Sequence, residues 1–262
     1  MIEFLKDSTF AVNDVLQAAW RILKKQYLSI AGLCLLMFTT SAVSGFLAGL
    51  FAEVNVGISI FMALVFIILY FGLQLTLLKY ILNLIDSKGD KLPMHEIVPS
   101  WKQLINFFIA TFYFLLSFAA IFLLILGLVY VIDFVGVKSD LVVSIALSLT
   151  IIISFFIGIR ISFFPFFIID KAAKPFQSIK FSLAITRGNF TRVIILLGFL
   201  ALFQGLFLYF IKHDYLVIGS LIFIVNYFLI VPLSGVAIAV AYRQMMNEYK
   251  GNEDPDIMNN LI

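Results

Sequence analysis

Long apolar runs alternate with short polar clusters along most of the chain, and that alternation sets the list of elements. A helix needs about 20 mostly apolar residues to cross the hydrocarbon of a bilayer. Span 1 is expected over 28–51, without a charge, and span 2 over 57–78, with apolar residues continuing past Lys79 to Ile85. Only a short turn separates them. A polar turn around Gly89 and the breakers Pro93 and Pro99 come next, before Trp101 restarts a helix. Span 3 follows over 104–132, and span 4 runs uncharged over 141–160. Span 5 is expected over 193–211 and span 6 over 216–241, with Pro232 and Gly235 inside it.

The breakers between spans carry as much information as the runs. Apolar residues continue from Arg160 to Ile169, but Pro165 predicts a kink or an end to the helix there. Asp170 and Lys171 read as a solvated turn. Pro175 suits the first turn of a new short segment, and Gly188 suits its C-terminal cap. Before span 1, Asn13 fits an N-cap with Asp14 in the first turn. On a helical wheel Val15, Leu16, Ala19, Trp20, Ile22, Leu23 and Tyr27 then share one side, and Gln17, Arg21, Lys24 and Lys25 take the other. Such a helix is suited either to the headgroup layer or to packing on protein; the immediate step into span 1 favours the headgroup layer. Within span 1, Ser41, Gly45 and Gly49 form a small-residue stripe that would let another helix approach.

Composition excludes the soluble alternatives. Hydrophobic residues make up 63% of the chain, charged residues only 13%, and the mean hydropathy is +1.09. So few charges cannot cover a soluble surface. The fold class is therefore all-α: a polytopic membrane protein with six transmembrane helices arranged as three hairpin repeats, with interfacial helices on the cytoplasmic side. Residues 1–250 read as a single transmembrane domain and 251–262 as a flexible cytoplasmic tail. No cleavable signal peptide is expected, because Glu3, Asp7 and Asp14 precede the first long apolar run. Of the Lys and Arg residues, sixteen fall in the N-terminal segment, the connections after spans 2 and 4, and the tail, against Lys138 and Lys212 on the other side. Positive charge stays inside, so both termini are expected in the cytoplasm.

The chain also repeats with a period near 80 residues. Tyr27, Phe107 and Phe190 each sit where a short segment enters an odd-numbered span, and Lys79, Arg160 and Arg243 each end an even-numbered one. The separations are 52, 53 and 53 residues. The repeat units fall at about 10–90, 91–173 and 174–250, all in one orientation, so a symmetry axis would run along the membrane normal. The simpler account is that bilayer thickness alone imposes similar lengths.

Arg160, Pro165, the acidic Asp170, Ser182 and the run Thr186-Arg187-Gly188-Asn189-Phe190 form a pattern that resembles a group of bacterial six-span membrane proteins. That group includes the membrane domain of some glycerophosphodiester phosphodiesterases and related stand-alone families of unknown function. The run from Phe10 to Tyr27, with Trp20 and Lys24-Lys25, resembles the group's entry helix. The resemblance implies a six-span fold in the inner (cytoplasmic) membrane of a bacterium. The phosphodiesterase domain itself is not in this chain, so its activity does not carry over.

Candidate chemistry is sparse. His95 and His213 are expected on opposite sides of the bilayer and cannot share a metal. No Asp or Glu falls deep in a span, and no P-loop, GxSxG or dinucleotide fingerprint occurs. No catalytic residue, metal or cofactor is therefore assigned, and the chain is read as non-enzymatic. Gln74, Gln204 and Asn226 are uncharged polar residues inside spans; interhelical hydrogen bonds are the simpler reading, a substrate path the sharper one. Arg160, Arg187 and Arg192, with Lys79 and Arg243 in support, are candidates for a site that grips an anionic phospholipid headgroup or another anion. Ordinary positive-inside anchoring explains the same charges without any convergence. Membrane lipids, anionic phospholipid among them, or a membrane-protein partner are the expected contacts, and nucleic acid is not. The function expected is a membrane module that contacts lipid or a partner at its cytoplasmic face; the alternative is a transporter or channel for a small solute or lipid. The topology is directly testable. In a Cys34→Ala background, single cysteines at Glu53, Lys138 and Asp214 are expected to label from outside intact cells, and those at Lys91 and Lys250 are not; external labelling at Lys91 would refute six spans with termini inside.

Overall fold

A computed structural model describes residues 10–52, 54–87, 97–134 and 139–248. The described residues form helices and no strand. Helix α1 (Val12–Lys25) is followed, after the single residue Gln26, by α2 (Tyr27–Ala52) and then α3 (Val56–Asp86). The remaining order is α4 (Trp101–Phe134), α5 (Ser139–Ile161), α6 (Phe164–Asp170), α7 (Pro175–Ile185), α8 (Phe190–Lys212) and α9 (Leu216–Val225). A π-helical segment (Asn226–Ile230) leads into α10 (Val231–Glu248). Six helical stretches are long and apolar enough to cross a membrane, which makes this a multi-pass membrane protein. The polar tail expected at 251–262, the turn around Gly89 and His95 lie outside the described residues, as does Lys138.

Several boundaries differ from the sequence expectation for local reasons. Helix α1 starts at Val12 with Ala11 as its cap residue, so Asn13 lies within the first turn and caps nothing. Asn55 is a true N-cap: its side chain accepts from the N–H groups of Gly57 and Ile58 and starts α3. Helix α7 begins at Pro175 as expected, but its C-cap is Thr186 and not Gly188. The last span does not stop near Ala241. It continues to Glu248 because Tyr242 and Met245 are buried.

The two ends of the bundle pack differently. Each hairpin is held chiefly by its own pair: α2 on α3, α4 on α5, α8 on α9. Contacts between hairpins gather at the end that carries Lys79, Arg160 and Arg243, called here the basic end. There α7 lies against α4, α5 and α6, while α6 also meets α3. Among the described residues, no large apolar side chain is fully buried between Cys34 and Leu75, between Ala110 and Ile159, or between Leu200 and Ile230. The far arms of the hairpins therefore present their Leu, Ile and Phe outward all round, which suits a lipid environment.

Helix α1 lies mainly against α10. Its apolar stripe of Val15, Ala19 and Leu23 is fully buried, while Trp20 stays exposed. That stripe is used up by protein contact. The packing makes a prediction. Leu23→Ala is expected to destabilise the protein by about 2–5 kcal/mol through the cavity it leaves. Arg21→Ala, at an exposed position of the same helix, is expected to stay within about 0.5 kcal/mol. Equilibrium unfolding in mixed micelles measures both.

Candidate functional site at the basic end

The residues that carried the sequence pattern come together where α5 ends. Pro165 has no N–H, and the helix breaks at Ser162 and Phe163 before restarting as α6. A break in an apolar setting frees backbone groups that need partners. Ser182, on α7, answers two at once: its hydroxyl donates to the Arg160 carbonyl at 2.7 Å and accepts from the Phe163 N–H at 3.1 Å. Thr186 adds a second, longer bond to the same carbonyl at 3.3 Å. The Arg160 guanidinium reaches across and donates to the Leu183 carbonyl at 3.0 Å. Gln103, on α4, donates to the Ile169 carbonyl at the end of α6 at 3.1 Å.

Asp170 corrects an expectation. It is no solvated turn residue: its side chain is only 12% exposed, although neighbouring Lys171 is open to solvent. Its carboxylate accepts from the Tyr242 hydroxyl at 3.0 Å and from Arg243 Nη2 at 2.8 Å. The same Nη2 donates to Asp86 at 2.6 Å, so one guanidinium joins α3, α6 and α10. Tyr242 is fully buried and stacks on Phe166 with ring centroids 5.0 Å apart. Aromatic packing and charge pairing thus lock one junction.

The second proline break lies in the last span. Pro232 cannot donate to the carbonyl of Phe228, four residues back, and the turn before it opens into the π segment. The freed Phe228 carbonyl accepts instead from the Tyr27 hydroxyl at 2.8 Å. Within the segment Asn226, 2% exposed, donates to Gln204 of α8 at 2.6 Å. Two of the three intramembrane amides are therefore an interhelical pair.

The third amide, Gln74, lines a cavity of about 430 Å³ beside this break. Helix α2 contributes Ala31, Cys34, Leu35 and Phe38, and α3 contributes Tyr70, Gln74 and Leu78. Phe223, Tyr227, Phe228 and Val231 of the last span form the facing wall, and Ser162, Pro165 and Phe166 of the first break also line it. Phe38 meets Tyr227 edge-on at 4.9 Å. Leu35, Phe38, Phe228 and Val231 line the cavity and are also exposed, so it opens to the surroundings of the bundle. Its volume falls in the range of about 300–1,000 Å³ typical of small-molecule sites.

The basic candidates are distributed over this end. Lys79 donates to the Val98 carbonyl at 3.0 Å, Arg192 donates to the Phe10 carbonyl, and Arg187 is exposed. Arg160 and Arg243 are held as described, each with a buried Nε–H that has no hydrogen-bond partner among the described residues. Their partners lie on different elements. Sequence reasoning missed the Tyr242–Asp170–Arg243 junction and the cavity; the one signal for the junction was the acidic residue among charges after an apolar run. No protein-family model, curated protein or solved structure matches this chain. The junction makes a prediction. Asp170→Ala leaves a mostly buried guanidinium short of a partner and is expected to cost about 3–5 kcal/mol. Asp86→Ala removes a half-exposed partner and is expected to cost about 1 kcal/mol or less. Thermal unfolding of the two variants in detergent distinguishes them.

Proposed function

We propose that this chain is a non-enzymatic module of a bacterial inner membrane that binds membrane lipid, holding a hydrocarbon chain in the cavity between the first and last hairpins. The observation that supports this reading is the apolar, open cavity set among the spans. Its neighbourhood is bilayer, so the molecule at hand to enter it is lipid. The basic end supplies a second surface, which draws anionic lipid around the bundle and not into the cavity. Lys79, Arg160 and Arg192 donate to neutral carbonyls, so their charge is not cancelled, and exposed Arg187 adds to it. Each such charge near the membrane surface attracts anionic headgroups by about 1 kcal/mol. With both termini in the cytoplasm, this end faces the inner leaflet.

On this reading the three hairpins are copies of one unit. Lys79 and Arg160, at equivalent places, do equivalent work: each donates to a carbonyl in the segment that enters the next odd-numbered span. Helix α7 packs on the end of the preceding unit, and α1 packs on α10, the end of the last unit, as a closed ring requires. A transporter of lipid is the second reading. The π segment favours it, because such irregular turns frequently occur at functional sites and this one lines the cavity.

The test uses a phospholipid with a photoactivatable diazirine in mid-chain, in vesicles that contain the whole protein. Saturable cross-links are expected in the peptides that hold residues 31–38 and 223–231, and Ala31→Trp is expected to reduce them. Labelling spread over all exposed arms, in proportion to probe and with no saturable part, would overturn the reading. Lipid translocation by the reconstituted protein decides for the second reading.

A further inference from the structure

We propose that the cavity is selective for an uncharged lipid carrying a hydroxyl or ester group, and that Gln74 is the residue that recognises that group. This rests on the reading of the cavity as a lipid-chain site and adds the ligand class. The argument starts from the three intramembrane amides. Gln204 and Asn226 satisfy each other. Gln74 has no hydrogen-bond partner among the described residues, and it lines the cavity. The side-chain oxygens of Ser41, Tyr70 and Tyr227, also on its lining, have none among those residues either. An amide without a partner at hydrocarbon depth carries a high desolvation cost, so polar groups that open into an apolar cavity call for a polar atom from the occupant.

Charge narrows the class. No Asp, Glu, Lys or Arg is part of the cavity lining. An ion drawn into such a place would lose its hydration with no countercharge to replace it. Depth narrows it further. By helical rise Gln74 sits about 7.5 Å farther from the basic end than Lys79 on the same helix. A phosphate is held at the level of the basic residues, whereas a lipid with an uncharged head can slide inward by that distance. The amide offers two donors and an acceptor, and the hydroxyls of Ser41, Tyr70 and Tyr227 can each give or take a bond, which fits a hydroxyl or ester.

Native mass spectrometry of the full chain in detergent tests this with three probes: a diacylglycerol, a phosphatidylglycerol with the same chains, and a long alkane. Diacylglycerol is expected to bind most tightly. Gln74→Leu, similar in size and without polar groups, is expected to weaken diacylglycerol about tenfold and to leave alkane binding unchanged. Diacylglycerol binding that is unaltered in Gln74→Leu overturns the role of Gln74. Tighter binding of phosphatidylglycerol than of diacylglycerol overturns the ligand class. A wild-type protein that retains none of the three overturns the cavity reading itself.

Discussion

A proline in a membrane helix strips a hydrogen bond from a carbonyl four residues back, and no water stands ready in the hydrocarbon to replace it. Two proline breaks organise this fold. At the first the helix opens at Ser162 and Phe163, just before Pro165, and α7 lies against the opening, so that one hydroxyl, Ser182, serves both the Arg160 carbonyl and the Phe163 N–H. At Pro232 the chain answers with the Tyr27 hydroxyl, brought from the start of α2. Each repair ties the broken span to another element. The repairs are therefore also the joints of the bundle, and the Tyr242–Asp170–Arg243 cluster sits beside the first of them.

That placement explains the uneven packing. Joints and ion pairs gather at the basic end, where Ile168, Leu196 and Tyr242 are fully buried. Away from it, each hairpin is closed mainly on itself and its apolar side chains look outward. A bundle that is tight at one end and open along its arms leaves clefts at the level where the two meet. The cavity beside Gln74 is such a place, lined by residues of both proline breaks. The same devices that satisfy the backbone thus shape the proposed lipid site.

Much of the architecture was legible because it depends on local and one-dimensional signals. Run length and charge located the six spans, Pro165 the break, and Pro175 the start of α7. What was not legible depends on neighbours distant in sequence. Asp170 looks like a turn residue until Tyr242 and Arg243 are brought to it, 72 and 73 residues along the chain. The end of the last span looked polar at Arg243, but Asp86 and Asp170 pair that charge and allow the helix to continue to Glu248. Asn13 has the right chemistry for a cap, yet α1, with Phe10 and Val15 buried, takes Ala11 as its cap, two residues earlier. The three intramembrane amides are alike in sequence, and only the fold separates the pair from the one that faces a cavity.

The most direct test of the account is a structure of the whole protein determined in a lipid bilayer disc of native lipid composition. The account predicts elongated density that enters from the bilayer between α2 and the last span and ends within hydrogen-bonding distance of Gln74. A cleft closed by its own side chains, or one filled by a water column running to the basic end, would contradict it.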